Sequence, residues 1–142
     1  MLVRIDAWQS ALSEYLLDAQ GVHFLYGVQD CGLFVAGAIR AMTGVDVAEK
    51  LRGYSDRREA FMRIAALCGF PTMEAAAVYL AGLYGIPEVP VLCAQRGDAV
   101  MLRSGRRSSL GIVAMHGTEL LTPYRDGLLR LPLSHARRAW RI

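Results

Sequence analysis

Lysine is nearly missing from this chain. Of its 16 basic residues only Lys50 is a lysine, and the others are arginines. Arginine's planar fork suits fixed contacts with carboxylates or with another protein, where lysine would supply a mobile point charge. Cysteine is scarce as well. Cys31, Cys68 and Cys93 make an odd count of 3 with no CxxC spacing, which argues against a disulfide framework and a zinc site. No apolar run reaches the roughly 18 residues that a membrane span requires. The opening MLVRIDAWQ carries Asp6 and Gln9 where a signal peptide would be apolar, so synthesis in the cytoplasm without a secretion signal is expected. Internal repeats and linkers are absent, and 142 residues suit one domain, residues 1–142. The net charge is +3, a mildly basic surface. No aromatic pattern or binding motif accompanies the arginines, so nucleic acid is not an expected partner.

The chain does have a centre, FLYGVQDCGLFVAGAIRAM at residues 24–42. Aromatic residues and a glycine lead into Asp30-Cys31-Gly32, and an apolar run follows. The pattern predicts a loop passing into a helix over residues 31–43 that is buried on most sides, with Asp30 as its cap and Gly44 as its stop. A cysteine in a first helical turn is favoured as a thiolate by unpaired N–H groups and the helix dipole. Asp30 beside it acts the other way, because a neighbouring negative charge raises a thiol pKa.

Around this centre the periodicity predicts a helix over residues 6–20, capped by Asp6 with Gln9 reaching back. Asp46 caps a short turn over residues 47–51. Ser55 opens a helix to residue 67 with Phe61, Ile64, Ala65 and Leu67 inward, and Thr72 caps a helix over residues 73–84. From Ile86 onward, short apolar runs broken by Gly, Asp, Pro and Arg predict strands at 98–103, 109–116, 119–123, 128–131 and 138–141. Residues 104–108 form a basic hairpin link. Cys68 and Cys93, in AALCGF and VPVLCA, are expected as buried small hydrophobes. The fold class is α+β: N-terminal helices, with a buried helix bearing Cys31, packed on a C-terminal antiparallel sheet.

Tyr26-Gly27, Asp30-Cys31 opening a buried helix, Arg96-Gly97-Asp98-Ala99-Val100 opening the sheet, and Leu110-Gly111-Ile112-Val113 on the next strand together resemble the NlpC-type, papain-like cysteine peptidase family. The likeness covers residues 22–43 and 95–123, with the helical pair at 55–84 standing as an insertion. It is closest to a subgroup encoded among phage and prophage tail genes, whose C-terminal end is similar to SHARRAWRI. The resemblance implies an endopeptidase acting on peptide crosslinks of the bacterial wall. Such chemistry needs a thiolate, an imidazole that takes and returns its proton, and a polar group that orients the imidazole. Cys31 matches the nucleophile position. The base position, a histidine in the family, is occupied here by Ser109, whose hydroxyl is no base near neutral pH.

Three other histidines are available. His116 falls at the far end of the expected strand, about 20 Å from Ser109 and on the opposite face. His23, in the loop before Cys31, could fold back as a weak alternative base, and His135 belongs to a polar surface turn. Three functions follow. The first is a structural or assembly protein of a phage tail, at its tip, built on an inactive peptidase fold. Arg103, Arg106, Arg107, Arg137, Arg138 and Arg141 would then dock neighbouring tail proteins in the virion. The second is an active cysteine endopeptidase or amidase on peptidoglycan during genome entry. The third is a module that binds wall peptides in a groove lined by Tyr26, Gly27, Asp30 and Ser109. None calls for a metal or cofactor.

Overall fold

The computed structural model describes residues 2–142. Among these residues, four α-helices precede a six-stranded antiparallel sheet, the expected α+β order. Helices α1 (Trp8–Ala19) and α2 (Cys31–Thr43) lead to a 3-10 turn (Glu49–Leu51) and the pair α3 (Arg57–Cys68) and α4 (Met73–Tyr84). Strands β1 (Glu88–Val89), β2 (Ala99–Ser104), β3 (Arg107–Val113), β4 (Glu119–Tyr124), β5 (Gly127–Pro132) and β6 (Ala136–Trp140) lie in the order β1-β6-β2-β3-β4-β5.

Helix α2 occupies the centre and keeps its expected bounds. The Asp30 side chain accepts from the Leu33 amide at 2.9 Å. At the other end Gly44 takes φ 79 and donates to the Arg40 carbonyl, which closes the last turn in the left-handed region that favours glycine. Leu33, Phe34, Val35, Ala36, Ala38, Ile39 and Met42 are all buried. One side of α2 meets α1, where the Tyr15 and Phe34 rings stack with centroids 5.7 Å apart and the Tyr15 hydroxyl donates to the Phe34 carbonyl at 2.8 Å. A side chain at Gly37 would collide with the Tyr15 ring, so this close approach requires a glycine.

The other side of α2 lies on the sheet. Met101, Leu110 and Ile112 join the α2 core, while Val100 and Val113 join a second core on the opposite face, as the two-residue period of a strand requires. The α3–α4 pair holds a third, smaller core of Leu51, Ile64 and Ala76.

Several local expectations shift. Asp6 does not cap α1; the helix begins at Trp8 after Ala7, with no side-chain cap. Asp56, not Ser55, caps α3 by accepting from the Glu59 amide, and Glu59 in turn accepts from the Ser55 amide. Strand β3 starts at Arg107, because Ser104 and Arg107 pair directly and the link shrinks to Gly105 and Arg106, and it ends at Val113, where the Ala114 amide donates to the Glu119 carbonyl across the turn to β4. His116 therefore lies in a turn past the strand. Cys93 is exposed and Cys68 only partly buried. The turn Val91–Cys93 after Pro90 lifts Cys93 and the 98%-exposed Leu92 off the core.

One buried carboxylate joins the ends of the chain. Asp98, fully buried, accepts from the Gln95 amide at 2.9 Å, the Ile142 amide at 3.2 Å, Arg141 at 2.9 Å and Arg4 at 3.4 Å. These contacts hold the N-terminal segment and the chain's last residues against the start of β2. Removing the carboxylate strands two partly buried guanidiniums and two amides. Asp98→Ala is expected to lower the unfolding free energy by about 3 kcal/mol, read as an earlier urea midpoint with an unchanged slope.

Candidate functional site

A cavity of about 730 Å³ opens where α2, α3–α4 and the sheet meet. The start of α2 forms part of its wall through Asp30, Cys31 and Gly32, and β3 contributes Ser108, Ser109 and Leu110. The topology thus carries the two positions singled out in the sequence, Cys31 and Ser109, to one cavity. Their approach is close: the Leu110 main-chain amide lies near enough to the Cys31 sulfur to favour its charged form.

Asp30 organises this end of the helix. Besides the Leu33 amide, it accepts from the Gly27 amide at 3.0 Å and from the Tyr54 hydroxyl. Gly27 has φ 83, and a side chain there would strike the Tyr54 carbonyl. Its role is therefore to let the loop turn against Tyr54; it does not line the cavity, whereas Tyr26 does. Tyr26 also meets Phe24 edge-on at 4.9 Å. Burial, together with the bond to the Asp30 carboxylate, pushes the Tyr54 hydroxyl pKa well above its ordinary value.

The thiol is not primed. Burial pushes the Cys31 pKa up to about 11, and Asp30 adds to the rise, while the amides of Leu110, Gly32 and Cys31 itself only partly oppose it. Near neutral pH the residue is a protonated thiol. No histidine lines the cavity among the described residues. His23 and His135 are exposed. His116 lies 3.0 Å from the Glu119 carboxylate through Nε2 and 2.9 Å from the Thr118 hydroxyl through Nδ1. A neutral thiol with no histidine lining its cavity among the described residues lacks the proton acceptor that nucleophilic catalysis needs. Nor do three His, Cys, Asp or Glu side chains converge to hold a metal ion among the described residues.

The arginines divide. Arg138 pairs with Glu74 at 2.9 Å and with Glu88 at 2.7 Å, and Arg103 with Glu74 at 3.0 Å. Arg141 pairs with Asp98 and donates to the Cys93 carbonyl. These three fasten β2, β6 and the chain end to their neighbours and are not free docking groups. Arg137 turns back onto the carbonyls of Ser134, His135 and Ala136. Arg106 and Arg107 are exposed at the β2–β3 turn.

Three features gave no signal in the sequence. Tyr54 reaches Asp30 from 24 positions away. The Gln29 amide nitrogen is buried without a hydrogen-bond partner among the described residues. The helical pair supplies one wall of the cavity through residues such as Ala77 and Leu80.

These features define an α+β domain with an apolar cavity at the head of a buried, cysteine-bearing helix. The chain belongs to the family described as a domain of unknown function, DUF6950, whose profile matches residues 3–142 and so runs through the helical pair as well. None of the curated proteins matches it. Among the described residues, no single helix is long and apolar enough to cross a membrane.

The raised thiol pKa has a consequence for stability. Folded Cys31 keeps its proton up to about 11, whereas an ordinary thiol releases it near 9.0. Over that window the unfolded chain loses a proton that the folded chain retains, so the contribution present below pH 9 fades as pH rises. In chemical denaturation from pH 8 to 10.5, the native protein should lose stability relative to Cys31→Ala.

Proposed function

We propose that this protein is a non-catalytic module with the NlpC-type, papain-like architecture, serving as a structural or assembly component of a phage tail at its tip. The observation that carries the reading is at Cys31. The nucleophile position holds a partly buried thiol whose pKa is pushed up to about 11, Ser109 stands at the base position, and no imidazole shares their cavity among the described residues. Loss of the base removes the usual route to a thiolate while leaving the scaffold able to pack and bind. The tail assignment draws on the resemblance of residues 22–43, 95–123 and the SHARRAWRI end to tail-encoded proteins. It draws further on Arg106 and Arg107, which have no carboxylate partner among the described residues and suit an acidic neighbour.

The competing reading is an active endopeptidase or amidase on peptidoglycan. Main-chain amides around the Cys31 sulfur favour it, and a base from outside the cavity would be required. Purified protein and Cys31→Ala compared on a peptidoglycan zymogram separate the two. Neither should clear the gel, and clearing that depends on Cys31 overturns the non-catalytic reading. In the phage or prophage that encodes the protein, Cys31→Ala should leave infectivity within about twofold, because a methyl side chain replaces an unreactive thiol. The protein should also copurify with intact tails, and its absence from them removes the virion assignment.

A further inference from the structure

The cavity is much larger than the neighbourhood of Cys31, and its chemistry is divided. Its interior is aliphatic, lined by Val35 and Ile39 of α2, Val47, Ile64 of α3, and Ala77 and Leu80 of α4. At about 730 Å³ it falls within the range of small-molecule sites, roughly 300–1,000 Å³. Several polar groups of its lining are already engaged within the chain. Asp30 accepts from Gly27, Leu33 and Tyr54. The Thr72 hydroxyl accepts from the Ala75 amide, and the Cys31 sulfur faces the Leu110 amide. A peptide strand entering there would bury N–H and C=O groups with few partners, a costly arrangement. An alkyl chain makes no such demand.

The border of the cavity is cationic. Arg57 of α3, Arg106 and Arg107 of the β2–β3 turn, and Arg125 of the β4–β5 turn all contribute to its lining. None makes an ion pair with a carboxylate among the described residues. Arg57 lies over the Phe61 ring at 4.8 Å and Arg125 over the Tyr124 ring at 5.5 Å, which holds two guanidiniums beside apolar surface. Four like charges around one apolar cavity repel until an anion settles among them.

We propose that the cavity binds a single-chain amphiphile, its alkyl tail between α2 and the α3–α4 pair and its anionic head, carboxylate or phosphate monoester, among Arg57, Arg106, Arg107 and Arg125. The site stands whether or not Cys31 reacts and whether or not the protein belongs to a tail.

Calorimetry on the purified full chain tests it, with alkanoates of 10, 12 and 14 carbons below their micelle concentrations. Affinity should rise about tenfold for each two carbons added. Tetradecanol, which lacks the charge, should bind at least tenfold more weakly than tetradecanoate. The double variant Arg106→Ala/Arg107→Ala should weaken tetradecanoate about tenfold and leave tetradecanol unchanged. Ala77→Phe, with its fold checked by circular dichroism, should abolish binding of both. Tetradecyl phosphate distinguishes the two head groups: whichever compound binds more tightly names the source, and either result supports the site. Four results overturn the proposal: no saturable binding of acid or phosphate, affinity independent of chain length, an alcohol that binds as tightly as the acid, or an apolar peptide with a free C-terminal carboxylate that outcompetes both amphiphiles.

Discussion

The arrangement at the head of α2 depends on one buried carboxylate. Asp30, 4% exposed, would be untenable there without donors, and it has three: the Gly27 amide before it, the Leu33 amide after it, and the Tyr54 hydroxyl beyond α2. The first fixes the aromatic loop, the second starts the helix, and the third brings in the segment that leads to the α3–α4 pair. Asp98 does comparable work just before β2, where it gathers Arg4, Arg141 and the Ile142 amide. The fold is thus fastened by two buried aspartates, one at the head of the core helix and one beside the first residue of a core strand.

The same carboxylate bears on the chemistry of the residue beside it. Two effects compete at Cys31. A helix start favours an anion by about 0.3–1 kcal/mol when exposed. Burial and the Asp30 charge favour the neutral thiol, and moving its pKa from 9.0 to about 11 corresponds to roughly 3 kcal/mol. Burial wins. Position at a helix N-terminus therefore does not by itself make a nucleophile; a base within reach of the sulfur must tip the balance, and among the described residues no histidine lines this cavity.

What was legible in the sequence was local chemistry. The bounds of α2 and α4 followed from Asp30, Gly44, Thr72 and Gly85, because a cap and a left-handed stop act within a few residues. The cap of α3 was placed one residue early, at Ser55, where the structure has Asp56 accepting from the Glu59 amide. The reach of β3 was misjudged at both ends because strand pairing is a tertiary fact: Ser104 pairs with Arg107 at its start, and the turn to β4 closes from Ala114 and leaves His116 outside the strand. Cys93 was misread because a short apolar run looks alike in a core and in an exposed turn. Of the cavity, only the strip beside Cys31 was legible, as a groove at Tyr26, Asp30 and Ser109. Its other walls come from residues that each read as ordinary core positions on separate helices.

The arginines mark the boundary most clearly. In the sequence, Arg103, Arg106, Arg107, Arg137, Arg138 and Arg141 form two similar basic clusters. In the fold, Arg138 spans Glu74 and Glu88 and Arg141 spans Asp98 and the Cys93 carbonyl, two-ended contacts that a planar fork makes and a single ammonium makes poorly. That geometry accounts for part of the near-absence of lysine. Arg106 and Arg107, joined at the cavity by Arg57 and Arg125 from other elements, have no such carboxylates. Charge that is matched inside the fold stabilises it, and charge left unmatched beside an apolar cavity is available to a ligand. Only the three-dimensional arrangement separates the two populations.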